Sequence, residues 1–208
     1  MTWMPTDGRA IDRSAKRLAL GLAALGLAAL APLASRAQAA GDRLLSVDPA
    51  RSSLTYGVVH TLHKVDATSR KLEGKALFKA DGTVQVMVRA QVAGFDSGDH
   101  NRDEHMLEVM EASLYPTVTF KGVARIAPPA RYPAAVDVPV AGELELHGKK
   151  FPETIPVHVE LRSQGDWRVT SQFDVSLDKY GIERPALLLK KIDDACHMTM
   201  NLSLLAAP

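Results

Sequence analysis

The chain has a single cysteine, Cys196, among 208 residues, so no internal disulfide can form whatever the redox state of its compartment. Cys196 lies in a strand pattern with no nucleophile signature around it, which predicts a buried, inert thiol. Aromatic residues make up only 5%, and acidic and basic groups nearly cancel, at 24 and 25. That balance gives no electrostatic case for binding nucleic acid or an anionic membrane surface. No G-x-S-x-G elbow, H-E-x-x-H pair, phosphate loop or dinucleotide fingerprint is present. The adjacent Asp193 and Asp194 point to opposite sides of an extended chain and so cannot share a proton as a dyad. His60 and His63, three apart on a strand, also point to opposite faces unless the chain turns there. His100 and His105 are five apart, whereas helix neighbours lie three or four apart. The expectation is therefore no enzyme, no metal and no cofactor, although a Ser-His-Asp grouping assembled only in space stays open.

What is present begins with a leader. Arg13, Lys16 and Arg17 precede an apolar run from Leu18 to Leu33, and Ala37-Gln38-Ala39 forms an A-x-A site. This pattern predicts a secretory signal peptide over residues 1–39, cleaved after Ala39, with periplasmic localisation of the remainder. An uncleaved anchor is the competing reading, because the run approaches the lower length of a membrane span. Its small residues and A-x-A flank favour secretion, after which no transmembrane segment is left. No Arg-Arg pair precedes the run and no cysteine follows it, so general export without lipid anchoring is expected. Residues 40–208 then form one domain, large enough for a real core.

That domain reads as β almost throughout. Strands are expected near 45–60, 70–80, 82–93, 117–126, 136–147, 154–163, 166–178 and 192–206, with a Pro-rich surface loop from Ala127 to Pro139. Val84, Val86, Val88, Ala90 and Val92 alternate with Gln85, Met87, Arg89 and Gln91, which suits a sheet wet on one face only. Ile155, Val157, Val159 and Leu161, and then Val169, Phe173 and Val175, repeat the pattern. Turns are marked by Asp81-Gly82, His147-Gly148 and Gln164-Gly165-Asp166. Consecutive one-sided strands suit a closed barrel or a two-sheet sandwich, and eight strands enclose either a filled interior or one small ligand. One helix interrupts the series. NRDEHMLEVMEASLYPTVTF (101–120) places Asn101 as cap with Glu104 completing a capping box. Met106, Leu107, Met110 and Leu114 share a face, and Pro116 stops the helix. A lone helix in a strand meander suggests a lid over a barrel.

The same segment resembles the signature of the polyisoprenoid-binding YceI-like family, through Arg102, Asp103, His105, Leu107, Tyr115, Pro116 and Phe120. VDPARSSLTYGVVH (Val47–His60), LELHGKKFPETIPV (Leu144–Val157) and LDKYGI (Leu177–Ile182) extend the likeness, in the family's order, over nearly all of the chain after the leader. The resemblance implies an all-β fold, an eight-stranded antiparallel lipocalin-like barrel with the short helix between the third and fourth expected strands. It also implies an apolar cavity whose lining falls to Tyr56, Val58, Met106, Met110, Phe120, Leu144, Val159, Phe173 and Val175. The polar end falls to His60, Arg102, Asp103 and Tyr180. The implied ligand is a polyprenyl or isoprenoid quinone lipid. The alternatives are a ligand-free barrel whose loops meet an envelope partner or a second copy and, behind it, a hydrolase or metal-dependent enzyme. The chain departs from the family pattern where Arg51 replaces a His, Tyr56 and Tyr180 each replace a Phe, and Leu177 and Lys179 replace an Arg and an Asp.

Overall fold

The computed structural model describes residues 41–60, 63–187 and 190–206. The expected leader lies outside them. Thirteen strands and two short helices follow in order. They are β1 (Arg43–Val47), β2 (Ser53–His60), β3 (His63–Ser69), β4 (Leu72–Phe78), β5 (Thr83–Gln91), β6 (Phe95–Asp96), α1 (His100–Val109), β7 (Thr117–Arg125), β8 (Ala134–Leu146), β9 (Lys149–Leu161), β10 (Asp166–Ser176), α2 (Leu177–Tyr180), β11 (Ala186–Leu187), β12 (Lys190–Lys191) and β13 (Ala195–Ala206). No described helix is long and apolar enough to cross a membrane.

Eight strands close an antiparallel ring in the order β1-β4-β5-β7-β8-β9-β10-β13, with β13 returning to β1. The seam sets Leu45 opposite Ala206 and Val47 opposite Leu204. The other half of β13 instead carries β2, from His197 opposite Gly57 to Asn201 opposite Ser53. β3 follows β2, and its last residues pair with β6. Because β6 trails β5 by one 3-10 turn (Val92–Gly94), this is a second closure above the first. β9 and β10 pair only near the β1 end and part beyond His158 and Thr170, so the interior widens toward the β2-β3-β6 end.

The inner face follows the expected alternation. Val84, Ala90, Ile155, Val157, Val159, Leu161 and Val169 are buried, with Val86, Val88 and Phe173 packed against them. The narrow end is plugged. Trp167 is 2% exposed and meets Phe78 edge to face at 5.3 Å, while the Arg43 guanidinium lies 5.0 Å from the Phe78 ring centre.

Several expectations are corrected. The first expected strand breaks at Asp48, whose carboxylate accepts from Ala50 N–H to start a 3-10 turn led by Pro49, and β1 and β2 part there. β3 was not expected, because among its described side chains HKVDATS buries only Ala67 and Ser69 and carries little apolar signal. The Pro-rich loop is shorter than expected. β8 starts at Ala134 and accommodates Pro139 opposite Pro156, two positions with no N–H to give to a ladder. His147 and Gly148 take φ 51° and 70° in the β8–β9 turn, as a tight primed hairpin requires.

α1 is capped by Asp99, which accepts from Arg102 N–H, and not by Asn101. It ends before Pro116 is reached. Glu111 enters the left-handed region at φ 44°, and Ala112 N–H bonds the Leu107 carbonyl. Leu114 is consequently 68% exposed and off the apolar face. The end of the seventh expected strand is α2, capped by Ser176 and closed by Gly181 at φ 69°. β9 and β10 pair only from Leu161 and Trp167 to His158 and Thr170. Past that point α2 bridges them: Tyr180 meets Phe151 edge to face and its hydroxyl donates to Glu153 Oε1 at 3.1 Å.

Candidate functional site: a lidded apolar cavity

Inward residues of the ring and of β2 enclose a cavity of about 390 Å³ that runs from Trp167 at the plugged end to α1 at the wide end. Its wall is built from the alternation itself, since every second residue of a barrel strand faces in. Every residue expected on the apolar wall lies on it: Tyr56 and Val58 from β2, Met106 and Met110 at the lid, Phe120, Leu144, Val159, Phe173 and Val175. The connection after α2 adds Ile182, Pro185 and Ile192, which sequence reasoning missed because that stretch lacks periodicity. Cys196 also faces in.

α1 covers the wide end by presenting Met106, Val109 and Met110 to the cavity, yet no residue of the helix is fully buried. Its anchors are few and local. Ser97 N–H donates to the Asp103 carboxylate at 3.1 Å, and the helix start is held by its Asp99 cap. Beyond its C-terminus, His147 Nε2 lies 2.9 Å from Glu111 Oε2, outside hydrogen-bond alignment, and the His147 ring packs on Tyr115. Gly98, at φ 78° with open space around it, and the left-handed Glu111 bracket the helix. An element with little buried surface between two such points sits at the low-stability end of the fold.

The polar end differs from expectation. Arg102 lines the mouth, 3.6 Å from Asp99. Asp103 does not line the cavity, because its carboxylate is turned to the Ser97 backbone. Tyr180 is fully buried outside the cavity, occupied with Glu153 and Phe151. The side chain of His60 lies outside the described residues, though its backbone pairs with His63. Lys75, His105 and Glu183 also touch the cavity and were not expected there, since isolated charges have no sequence period.

Two protons in the wall are held firmly. Burial pushes the Cys196 thiol up to about 12, with the Asp174 carboxylate adding to the shift. Its sulfur lies 3.8 Å from the Met198 thioether. Burial likewise raises the Tyr56 phenol to about 12, reinforced by Asp103 and Cys196 and opposed by Arg102. Among the described residues no three metal-ligating side chains gather. The histidines bind carboxylates on the outer face instead, His158 with Asp137 at 2.7 Å and His197 with Asp174 at 2.6 Å.

A closed antiparallel barrel with an apolar interior and a helical lid belongs to the lipocalin-like class of ligand-holding folds. The particular family is YceI: its domain model matches residues 45–204, and the chain belongs to the YceI-like family. Solved structures share the fold. BcnA of Burkholderia cenocepacia is 20% identical with a TM-score of 0.63, over 76% of this chain and 98% of that one. A polyisoprenoid binding domain from Saccharophagus degradans, implicated in plant cell wall breakdown, is 17% identical with a TM-score of 0.64, covering 78% and 98%. A Campylobacter jejuni YceI protein is 11% identical at a TM-score of 0.51, covering 72% and 89%. No curated protein sequence matches the chain.

Proposed function

We propose that the protein is a secreted periplasmic carrier that sequesters a long apolar ligand, a polyisoprenoid or isoprenoid quinone, inside the barrel. The observation that carries this reading is the apolar cavity under a lightly anchored lid. Binding is burial without chemistry: each Å² of tail removed from water contributes about 25 cal/mol, so affinity comes mainly from the tail. Groups at the mouth, Arg102 first, orient the head. The polyisoprenoid binding of the Saccharophagus degradans domain supports the ligand class. The basic, apolar and A-x-A regions of residues 1–39 support export by a cleaved signal. A thiol held protonated in the wall supports a role other than nucleophilic catalysis.

The test is extraction of the purified protein, expressed in its native compartment, with organic solvent followed by mass spectrometry. A stoichiometric species with isoprene mass spacing is the expected result. A clean extract, together with no uptake of added polyprenyl or quinone lipid by folded protein, overturns the carrier reading. A barrel that meets an envelope partner or a second copy through its loops would then take its place.

A further inference from the structure

We infer that His147 is a proton-operated latch on the lid: its cationic form holds the end of α1 closed, and loss of the proton as pH rises lets the wide end open. This adds regulation to the carrier reading and rests on it. Among the described residues Glu111 and His147 are the two non-glycine residues in the left-handed region, at φ 44° and 51°. That backbone is disfavoured for any residue with a Cβ, and here the two such residues touch, His147 Nε2 lying 2.9 Å from Glu111 Oε2. Glu111 is one of the two points that bracket the lid. His147 sits in the β8–β9 hairpin, fixed by the pairing of Leu146 with Lys149. The contact therefore ties a hinge of the lid to the barrel wall.

The two ring nitrogens of His147 face two acceptors. Nδ1 lies 3.3 Å from the Tyr180 carbonyl, which can only accept, so Nδ1 carries the proton of the neutral ring. Nε2 is then a bare lone pair beside the Glu111 carboxylate, in a side chain only 11% exposed. A second proton turns that repulsion into an ion pair, and the half-exposed Glu111 side chain has room to swing into line with it. Histidine is the side chain suited to such a change between about pH 5 and 8.

The other groups around the ring leave Glu111 as its one free counter-charge. From the lid side Tyr115 packs edge to face on the imidazole at 4.9 Å, and Gly148 gives that ring room, since a Cβ there would collide with it. From α2, the Tyr180 hydroxyl and Lys179 are both engaged by Glu153. On the hairpin, Lys150 pairs with Glu145, while the Lys149 ammonium lies beside Gly181 and opposes a positive ring. The lid carries two histidine pairs of its own, His100 with Glu104 and His105 with Glu108. Their histidine side chains are 82% and 58% exposed and join α1 only to itself, so they contribute little to closure.

The measurement is hydrogen exchange of the α1 amides in the purified protein at about pH 5.5 and pH 8, corrected for intrinsic exchange, with β5 amides as the internal reference. Alongside it runs the exit rate of all-trans-retinol, an uncharged isoprenoid polyene that does not itself titrate. Protection of α1 is expected to fall about fivefold from the lower pH to the higher, the scale of one partly exposed ion pair, and retinol exit to speed up in proportion. Glu111→Gln and His147→Asn, the latter keeping a residue that tolerates positive φ, should each make both readouts flat with pH, with circular dichroism verifying their folds. A wild type whose α1 protection does not change with pH overturns the latch and leaves the carrier intact. So does a Glu111→Gln protein that keeps the full dependence, which would assign it to His100 or His105, or retinol that binds and leaves equally fast at both pH values. If retinol does not bind while α1 still loosens with pH as expected, the latch stands and the carrier reading is what loses support.

Discussion

Cys196 reports on the interior without any engineering. It is 7% exposed, faces the cavity and is the only thiol in the sequence, so an aromatic disulfide reagent reads one site. Burial moves its pKa from 9.0 to about 12. At pH 8 the thiolate fraction is then about one in ten thousand, against about one in ten for an exposed thiol, a ratio of about a thousand. The rarer thiolate is intrinsically the better nucleophile. With a Brønsted slope of about 0.4–0.5, three units of pKa return a factor of about 15–30. The expected rate is therefore about 30–60-fold below that of the urea-unfolded chain before steric protection is counted. It should climb about tenfold per pH unit between pH 8 and 11, following the thiolate. A folded protein that reacts within about threefold of the unfolded control, or whose rate levels off near pH 9, refutes the buried, protonated thiol.

Three further outcomes are expected. Met110→Lys puts an ammonium on the cavity wall, and a folded variant should lose at least about tenfold in uptake of a fluorescent polyene; unchanged uptake would remove the lid from the site. Trp167→Ala should cost about 3–5 kcal/mol in urea unfolding, because the plug at the narrow end loses its packing on Phe78. Stability should fall at alkaline pH. Tyr56, Tyr180 and Cys196 all have raised pKa values when folded, so the unfolded chain releases these protons first, from about pH 9 upward. The contribution of Tyr56 and Cys196 is full below that point and lost as pH rises to about 12; equal melting temperatures at pH 8 and 10.5 would contradict it.

The cavity wall was legible in the sequence because period-2 alternation and inward facing are one fact in a barrel. Val84 to Ala90 and Ile155 to Leu161 needed no tertiary information to be assigned a side. β3 was illegible for the same reason inverted: flanked by β2 and β6, it contributes only a short, small inner row to the second closure, Val65, Ala67 and Ser69. Asp103 and Tyr180 show a different failure. Their position in the family signature marked them for the ligand, but their partners, Ser97 N–H and Glu153, come from a preceding loop and a distant strand that spacing cannot bring together. The helix cap moved from Asn101 to Asp99 because two Asx-type caps stood two residues apart and Gly98 lets the chain turn ahead of the first.

The double use of β13 sets how the molecule assembles. Its pairing with β1 joins residues at opposite ends of the domain, Val47 with Leu204, and its pairing with β2 does nearly the same. Such non-local contacts return no energy until a long loop has been closed, which places ring closure late in folding. Before β13 docks, the inner rows of β5, β7, β8 and β9 form an open apolar trough. Under the carrier reading, an apolar tail lying in such a trough when the last strand arrived would be enclosed without passing the lid.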